Sequence, residues 1–467
     1  MSAPKELLDL ELPSFVRRVF EGLKADGHAV YLVGGAVRDR MLHRETTEYD
    51  VATSARAERV MQIFPRVVPT GLQHGTVTVV EDGQPIEVTT FRGEDGYLDG
   101  RRPSEITFLQ DIEADLARRD LTINAMAYDP LSSRFVDPYG GAQDLEKRLV
   151  RAVGDPKKRF TEDGLRIMRA ARFASVLGFR VERATRRAIP EAIPTFRKVA
   201  VERIQVELTK MLLGPHPRYG LEILRRTAVL REVIPELLEG FGMRQNRWHR
   251  YDVYHHLLRA VNASIPKLTV RLATLLHDID KPKTAAPSPR GGPSELSFYD
   301  HERSGSERAH AICHRLRYPT KVCTEVQVLV REHQFVYSKD WSDAAVRRML
   351  ARVGDGSFED LLAVRRADVM GRGRAVEEGL EELRQLEERV AHVQARRPPL
   401  SASELSLDGK EVMQALGVGP SPLVGEAIRH LVEIVLEDPA KNTREDLLEA
   451  LAAFGRSKGL PAMSKGR

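Results

Sequence analysis

Residues 29–53 read AVYLVGGAVRDRMLHRETTEYDVAT, and this stretch decides the fold. The apolar run Ala29–Val33 is a short strand, Gly34-Gly35 is a turn, and a helix opens at Ala36. A second strand follows over Tyr49–Ala52. Such a turn brings backbone N–H groups close to a ligand, because glycine has no Cβ to hold it away. The helix N-terminus behind it favours an anion such as a triphosphate. By itself the turn is equally consistent with a purely structural role, and the G-x-x-x-x-G-K-[ST] spacing of a Walker A loop is absent. Glu48 and Asp50 sharpen the reading. Side chains two apart on a strand share a face. Two carboxylates there can hold Mg²⁺ through hard oxygen ligands. A pair of ions about 4 Å apart would activate an attacking hydroxyl and stabilise a leaving pyrophosphate. Glu87, on a neighbouring hairpin strand, can supply a third carboxylate. A solvated edge strand is the competing reading of an isolated E-x-D.

Working outward, Gly75–Glu81 and Ile86–Phe91 are β-branched runs joined by Asp82-Gly83, a hairpin signal. These elements make a small α/β sheet domain that closes near residue 150. Beyond it the chain reads as nearly all helix. Leu165, Met168, Ala171 and Ala174 repeat at helical spacing, as do Leu208, Met211 and Leu212, while Pro190 and Pro215 mark breaks. A Pro/Gly-rich loop, Ala286–Pro293, interrupts a helical region rich in histidine. Arg396–Ser403 reads as a linker and Ser457–Arg467 as a basic tail. At 467 residues the chain needs two to four domains, and the fold class is α+β: a mixed sheet followed by helical domains.

Composition narrows the classes. No apolar run reaches the roughly 20 residues of a membrane span, and the first residues lack the profile of a signal peptide. Cys313 and Cys323 are the only cysteines, which rules out a disulfide framework and points to a reduced cytoplasm. The net charge of +5 is modest. Its distribution is more telling: Arg148, Arg151, Lys157, Lys158, Arg159, Arg166 and Arg169 crowd one stretch. They can meet phosphates, or form a solvated helix face. In DLARRDLTINAM, residues 115–126, Arg118 and Arg119 can grip phosphates and Asn124 can bond a sugar hydroxyl, with surface ion pairs as the alternative.

The motifs GGAVRD, the carboxylate pair before VATSA, PTGLQHGTVTVV, EVTTFR, YLDGRRP, RRDLTINAMA and RFTEDGLRIMRAARF occur in that order. Together they resemble the class II tRNA nucleotidyltransferases and bacterial poly(A) polymerases, continuously over about residues 28 to 210 and again in the histidine region. The resemblance implies a polymerase-β-like palm (1–150), a helical neck (151–230), an HD helical domain (231–395) and a helical tail that meets tRNA (396–467). It implies CCA addition to tRNA from CTP and ATP, with Mg²⁺ on Glu48 and Asp50. The triphosphate turn falls on Gly34, Gly35, Arg38 and Asp39, and the RRD motif on Arg118, Arg119 and Asp120, with Asn124 beyond it. The nucleotide-selecting E-D-x-x-R falls on Glu162, Asp163 and Arg166, and Arg169 and Arg172 join the nucleotide-binding set. The family's first metal carboxylate is usually Asp; Glu48 carries its oxygen one methylene further out.

With no template, the protein must read the incoming base. Asp163 and Arg166 lie three apart on an expected helix and so share a face. A carboxylate accepts and a guanidinium donates, so the pair can mimic a Watson–Crick edge for cytosine and adenine. Glu162 and Asp163 can otherwise simply complement the dipole of a helix capped by Thr161. The glycine-rich stretch Arg92–Pro103 resembles the family's flexible loop without deletion, which favours full CCA addition, or A-addition alone, over CC-addition. The segment QHGTVTVV disfavours the poly(A) branch.

In the histidine region, His277-Asp278 closes the apolar run Leu272–Leu276, with His256 upstream and His301, His333 and Asp368 downstream. Histidine and aspartate from several helices can build a metal site. The ordered set resembles the HD phosphohydrolases. That implies His256, His277, Asp278 and Asp368 as ligands of a transition metal or Mg²⁺, with His301 and His333 for a second ion or a phosphate. Asp280 stands where the family has glycine and is expected to repel a substrate phosphate, while Lys281 stays in register. The implied activity is phosphatase or cyclic phosphodiesterase action on nucleotide or RNA ends. Two further readings stay open: a phosphohydrolase with an inactive RNA-binding N-terminal domain, and a tRNA-binding protein without turnover. The glycines of Leu416–Pro420 can place N–H groups against tRNA phosphates, or are ordinary turn chemistry.

Overall fold

The computed structural model describes residues 3–46, 48–97, 103–108, 111–289, 295–335, 337–354, 357–396 and 398–460, without the side chains of 94–108. Parts of the expected loop at 92–103 (98–102), of the Ala286–Pro293 loop (290–293) and of the basic tail (461–467) lie outside the described residues. The chain divides into two compact units, Met1–Leu238 and Glu239–Arg467. The class is α+β, as expected.

The first unit is built on a mixed sheet. Its strands are β1 (Val30–Val33), β2 (Asp50–Thr53), β3 (Val67–Gly71), β4 (Thr76–Glu81), β5 (Gln84–Thr90), β8 (Ala127–Asp129) and β9 (Arg134–Val136), in the order β3-β4-β5-β2-β1-β8-β9. A separate hairpin joins β6 (Arg92–Tyr97) and β7 (Pro103–Phe108). β1 is central and fully buried, which is why it reads as a continuous apolar run. β2 pairs antiparallel with β1 and parallel with β5, in a register that opposes Val33 to Asp50 and Asp50 to Glu87. Asp82 and Gly83 both take positive φ, 50° and 76°, the conformation that a two-residue hairpin turn demands. The helix Ser14–Ala25 buries Val16, Val19, Phe20 and Leu23, spaced to form one stripe, and packs on β1 and β4.

After the sheet, the first unit is mostly helical, with one short parallel strand pair, Leu149–Val150 with Arg180–Val181, and long helices over Leu165–Leu177 and Val201–Leu213 packed on each other. The expected single helix through the E-D-x-x-R segment is instead two. One helix ends at Glu162, Asp163 is extended, and the next begins at Leu165. Gly164 sits at the break because a Cβ there would lie 2.5 Å from the Phe196 backbone nitrogen. Thr161 caps nothing; its hydroxyl donates back to the carbonyls of Lys157 and Lys158, while Asp155 caps the first helix.

Among the described residues the regular structure of the second unit is helical apart from one short strand pair, Ala285–Pro287 with Leu296–Phe298, flanking the Pro/Gly-rich loop. Helices Val253–Ala263, Leu268–Leu276 and Phe358–Arg372 pack together, as do His301–Arg315 and Thr320–Glu332. A separate apolar cluster, with Leu407, Val412, Leu431, Leu447 and Leu451, holds the last three helices together. Among the described residues no helix is long and apolar enough to cross a membrane.

Arg347 fastens the end of this unit. It is buried and donates from Nε to the Leu436 carbonyl (2.7 Å) and from Nη2 to the Glu437 carbonyl (2.7 Å). These are orphan carbonyls at the end of the helix Pro422–Glu437. Arg347→Met keeps the apolar stem and strips both donors. It should cost about 2–4 kcal/mol and lower the melting temperature by about 5–10 °C, read by differential scanning calorimetry.

Candidate active sites

Gly34 ends β1 with φ of +64°. A Cβ there would lie 3.2 Å from Arg119 Nη1 and 3.5 Å from Asp50 Oδ2, so glycine is needed both for the turn and for the close approach of these two groups. Asp50 opens β2; the strand was expected to start at Tyr49, and Glu48 lies before it in irregular backbone. Two-residue strand spacing therefore does not place Glu48. Charge influence does: burial raises the Asp50 carboxyl, Arg119 pulls it back, and Glu48 pushes it up again. Glu87, in register with Asp50 on β5, is raised by burial and then by Asp50. A group of carboxylates in which Glu48 opposes the ionisation of Asp50, and both oppose that of Glu87, suits a divalent cation.

Behind this group runs a chain of charge. Arg38 grips its neighbour Asp39 from Nε (2.9 Å) and Nη2 (2.7 Å), and donates from Nη1 to Asn124 Oδ1 (2.6 Å). Asn124 donates to Asp120 Oδ1, and Asp120 Oδ2 accepts from Arg169 Nε at 2.6 Å. Arg169 and Arg172 both face Glu207, at 3.6 and 2.5 Å. The Phe173 ring lies among the guanidinium groups of Arg38, Arg169 and Arg172, at 5.0, 5.6 and 3.7 Å. Burial opposes charge on Asp120, but Arg169 outweighs it and holds the carboxyl well below the usual range.

The expected phosphate and nucleotide residues are thus tied together, but by partners the sequence did not reveal. Asp115 is 1% exposed and pairs with both Arg118 (2.7 Å) and Arg119 (3.3 Å), while its Oδ1 also accepts the Arg92 N–H. Asp163 and Arg166 do not share a helix. Asp163 accepts from the Leu165 N–H (2.9 Å) and from Arg203 Nη2 (2.8 Å). Arg166 donates to Glu162 Oε2 (2.5 Å) and to the Arg159 and Arg118 carbonyls. Asp163 thus does complement the start of the helix Leu165–Leu177, as the simpler reading held.

In the second unit, His256, His277, Asp278, His301, His333 and Asp368 converge, all buried. Asp278 faces four histidines: its Oδ2 is 3.3 Å from both His256 and His277, and its Oδ1 is 3.2 Å from His301 and 3.6 Å from His333. Asp368 Oδ1 lies 3.3 and 3.7 Å from His256 and His277. The ring N–H at Nδ1 of His277, His301 and His333 donates to the carbonyl three residues earlier, at 2.8, 2.6 and 2.6 Å. This leaves each Nε2 lone pair aimed inward, the tautomer a metal ligand needs. His301 Nε2 is buried without a hydrogen bond. His256, His277 and Asp368 form one compact ligand trio, and His277, Asp278 and His333 another. The residues present fit metal ions.

Charge around the cluster is mixed. Burial opposes charge on His277, but Asp278 and Asp368 hold it up at about 9, while burial drives His333 down to about 4. Burial also works against the Asp368 charge, yet Arg372 and Arg365 keep it well below the usual range. Lys281 Nζ sits 2.6 Å from Asp278. Asp280 does not face the cluster as expected; its carboxylate pairs with Arg308 at 3.1 Å, so it carries no bare charge toward a phosphate. Asp278, His301, His333 and Asp368 of the cluster line a cavity of about 620 Å³ that also presents Trp248, Lys281, Tyr299, Arg365 and Arg372. His249, from the loop before the helix Val253–Ala263, also lines this cavity and belongs to none of the motifs read from the sequence.

Three family models match the chain: "Poly A polymerase head domain" over residues 30–151, "Probable RNA and SrmB- binding site of polymerase A" over 178–240, and tRNA nucleotidyltransferase domain 2 over 300–451. The solved structure of the Bacillus stearothermophilus CCA-adding enzyme in complex with CTP superposes with a TM-score of 0.69 at 28% identity, covering 95% of this chain and 98% of its own. The Thermotoga maritima CCA-adding enzyme complexed with tRNA shares the fold, with a TM-score of 0.55 at 18% identity over 97% of this chain and 98% of its own. Sheet, site and matches together define a nucleotidyltransferase. A CCA-adding enzyme of Pediococcus pentosaceus is 34% identical over 437 residues, 93% of this chain and 96% of its own. The chain belongs to the CCA-adding enzymes.

Asp120→Asn should strip Arg169 of its nearer carboxylate, leaving Glu207 at 3.6 Å, and cost about 2–3 kcal/mol at neutral pH. Because folding lowers the Asp120 pKa, its contribution is complete above the ordinary aspartate value and drains only as pH falls below it. The stability gap between wild type and variant should therefore hold from pH 7 to 5 and narrow below about pH 4, measured by urea denaturation.

Proposed function

We propose that the first unit adds C, C and A to tRNA 3′ ends from CTP and ATP without a nucleic-acid template. The observation that carries this reading is the register of β2 and β5, which stands Asp50 beside Glu87 at the Gly34 turn. Asp50, Glu87 and Glu48 would hold Mg²⁺, which supplies charge for attack of the tRNA 3′-hydroxyl on the nucleotide α-phosphate. Gly34 and Gly35 let the triphosphate approach the backbone, and Arg118 and Arg119 bind its oxygens. Arg38, Asp39, Asp120 and Asn124 orient that wall, with Asn124 also near enough to meet the sugar. Asp163 accepts from the exocyclic amino group shared by cytosine and adenine, and Arg166 donates to ring nitrogens. Arg203 and Glu162 hold this pair still, so a base with the opposite pattern leaves buried groups unpaired. Arg169 and Arg172 fix the helix behind it.

The segments 1–150, 151–230, 231–395 and 396–467 serve in this reading as palm, neck, HD domain and tRNA-contacting tail. The buried free thiols of Cys313 and Cys323 agree with a cytoplasmic setting.

Purified enzyme given tRNA transcripts ending at the discriminator base, at CC or at CCA should extend the first by CCA and the second by A. Action on the CC end alone would mean A-addition, and long A tracts a poly(A) polymerase. Asp50→Ala should cut incorporation at least about 1,000-fold.

A second reading concerns the second unit, on a different observation: buried histidines and aspartates beside cationic and aromatic side chains in one cavity. This arrangement supports hydrolysis of phosphate esters at nucleotide or RNA ends. An imidazole-rich donor set favours a transition metal over Mg²⁺. Lys281, Arg365 and Arg372 would meet the phosphate, and Trp248 and Tyr299 the base. His277→Ala should abolish metal-dependent release of phosphate from nucleotides and leave CCA addition intact, and Asp50→Ala should do the reverse.

A further inference from the structure

The ordered motif alone offers four histidines and two aspartates to the second-unit cluster, with His249 left out. The structure places His249 against that cluster. Its ring centre lies 4.9 Å from that of His256, nearly perpendicular to it. The rings then continue from His256 to His277 (5.1 Å), to His333 (4.9 Å) and to His301 (5.4 Å), so five imidazoles form one unbroken row.

His249 is prepared in the same way as the others. Its Nδ1 lies 2.9 Å from Asn246 Oδ1, an oxygen three residues earlier, as with His277, His301 and His333. With that N–H donated, the lone pair is left on Nε2. One ligand atom each from His249, His256 and Asp278 lie within 4.8 Å of one another, a third trio beside the two already described.

The loop that carries His249 is held in place. The Arg250 N–H donates to the Arg372 carbonyl (2.9 Å), Arg374 donates to the Arg247 carbonyl (3.1 Å), and Gln245 accepts from Lys281 Nζ (2.8 Å). Lys281 and Arg372 also reach Asp278 and Asp368 themselves, so the loop is stitched to the partners of the ligands. A histidine placed for packing alone has no need of a fixed tautomer or of this anchoring.

We propose that His249 is a metal ligand, completing with His256 and Asp278 a coordination place for a transition-metal ion at the mouth of the cavity. This rests on the reading of the cluster as a metal site, and the test separates the two.

Full-length protein would be stripped with a chelator, titrated with Mn²⁺ and, separately, Co²⁺, and its bound metal counted after gel filtration. Wild type should bind at least two ions. His249→Ala should lose one ion or bind it about 10–100-fold more weakly, while His249→Asp, which restores an oxygen donor, should recover most of it. Asn246→Ala should show a smaller loss, because it frees the ring without removing it. Far-UV circular dichroism of the stripped proteins identifies a variant that fails to fold, in which case the Asn246→Ala and His249→Asp results decide. Wild-type stoichiometry and affinity in His249→Ala would overturn the role of His249 and leave the metal site standing. No metal bound by wild type would overturn both.

Discussion

Parallel pairing of β2 with β5 forces Asp50 and Glu87 side by side at the carboxyl edge of the turn after β1. Two partly buried carboxylates in that position repel, and burial makes each costlier to ionise. In the proposed reading a divalent cation resolves that repulsion. Around these acids stand a glycine that lets Asp50 and Arg119 approach the turn, and arginines whose charge acts on Asp50.

Those arginines would be a liability if they were loose. Each is instead anchored by its own anion: Arg38 by Asp39, Arg118 and Arg119 by Asp115, Arg169 by Asp120, and Arg172 by Glu207. Alternating signs allow many cations to sit near one another with fixed geometry and little net repulsion. The second unit solves a similar problem with the signs reversed, since Arg365, Arg372 and Lys281 compensate Asp278 and Asp368, the two aspartates of its histidine cluster.

Much of this was legible in the sequence, for identifiable reasons. β1, β4 and β5 announced themselves because they are apolar or β-branched, and Asp82-Gly83 because a tight hairpin restricts its residues. β3 was missed because Pro69 and Gly71 dilute an exposed edge strand, and β8 and β9 because three residues are too short to show a period. The break at Asp163-Gly164 was hidden because its cause, the Phe196 backbone, lies 32 residues away in sequence. Motif residues were found by their order along the chain, and Asp115 and Phe173 lie within those motifs, whereas the anchors Arg203 and Glu207 carry no spacing signal and only the fold reveals them. The same holds for His249, which acquires a neighbour seven residues on, His256, only when its loop turns back.

Asp115 has one more property. Its Oδ1 serves the main chain at Arg92, where the β6–β7 hairpin begins, and the same carboxylate restrains Arg118 and Arg119. A carboxylate has few lone pairs to share. Whatever draws Arg118 or Arg119 away leaves more of it for the hairpin's root, and whatever pulls on the root alters its hold on the arginines. Ligand grip and hairpin posture are therefore linked quantities, and by detailed balance each must influence the other to the same extent.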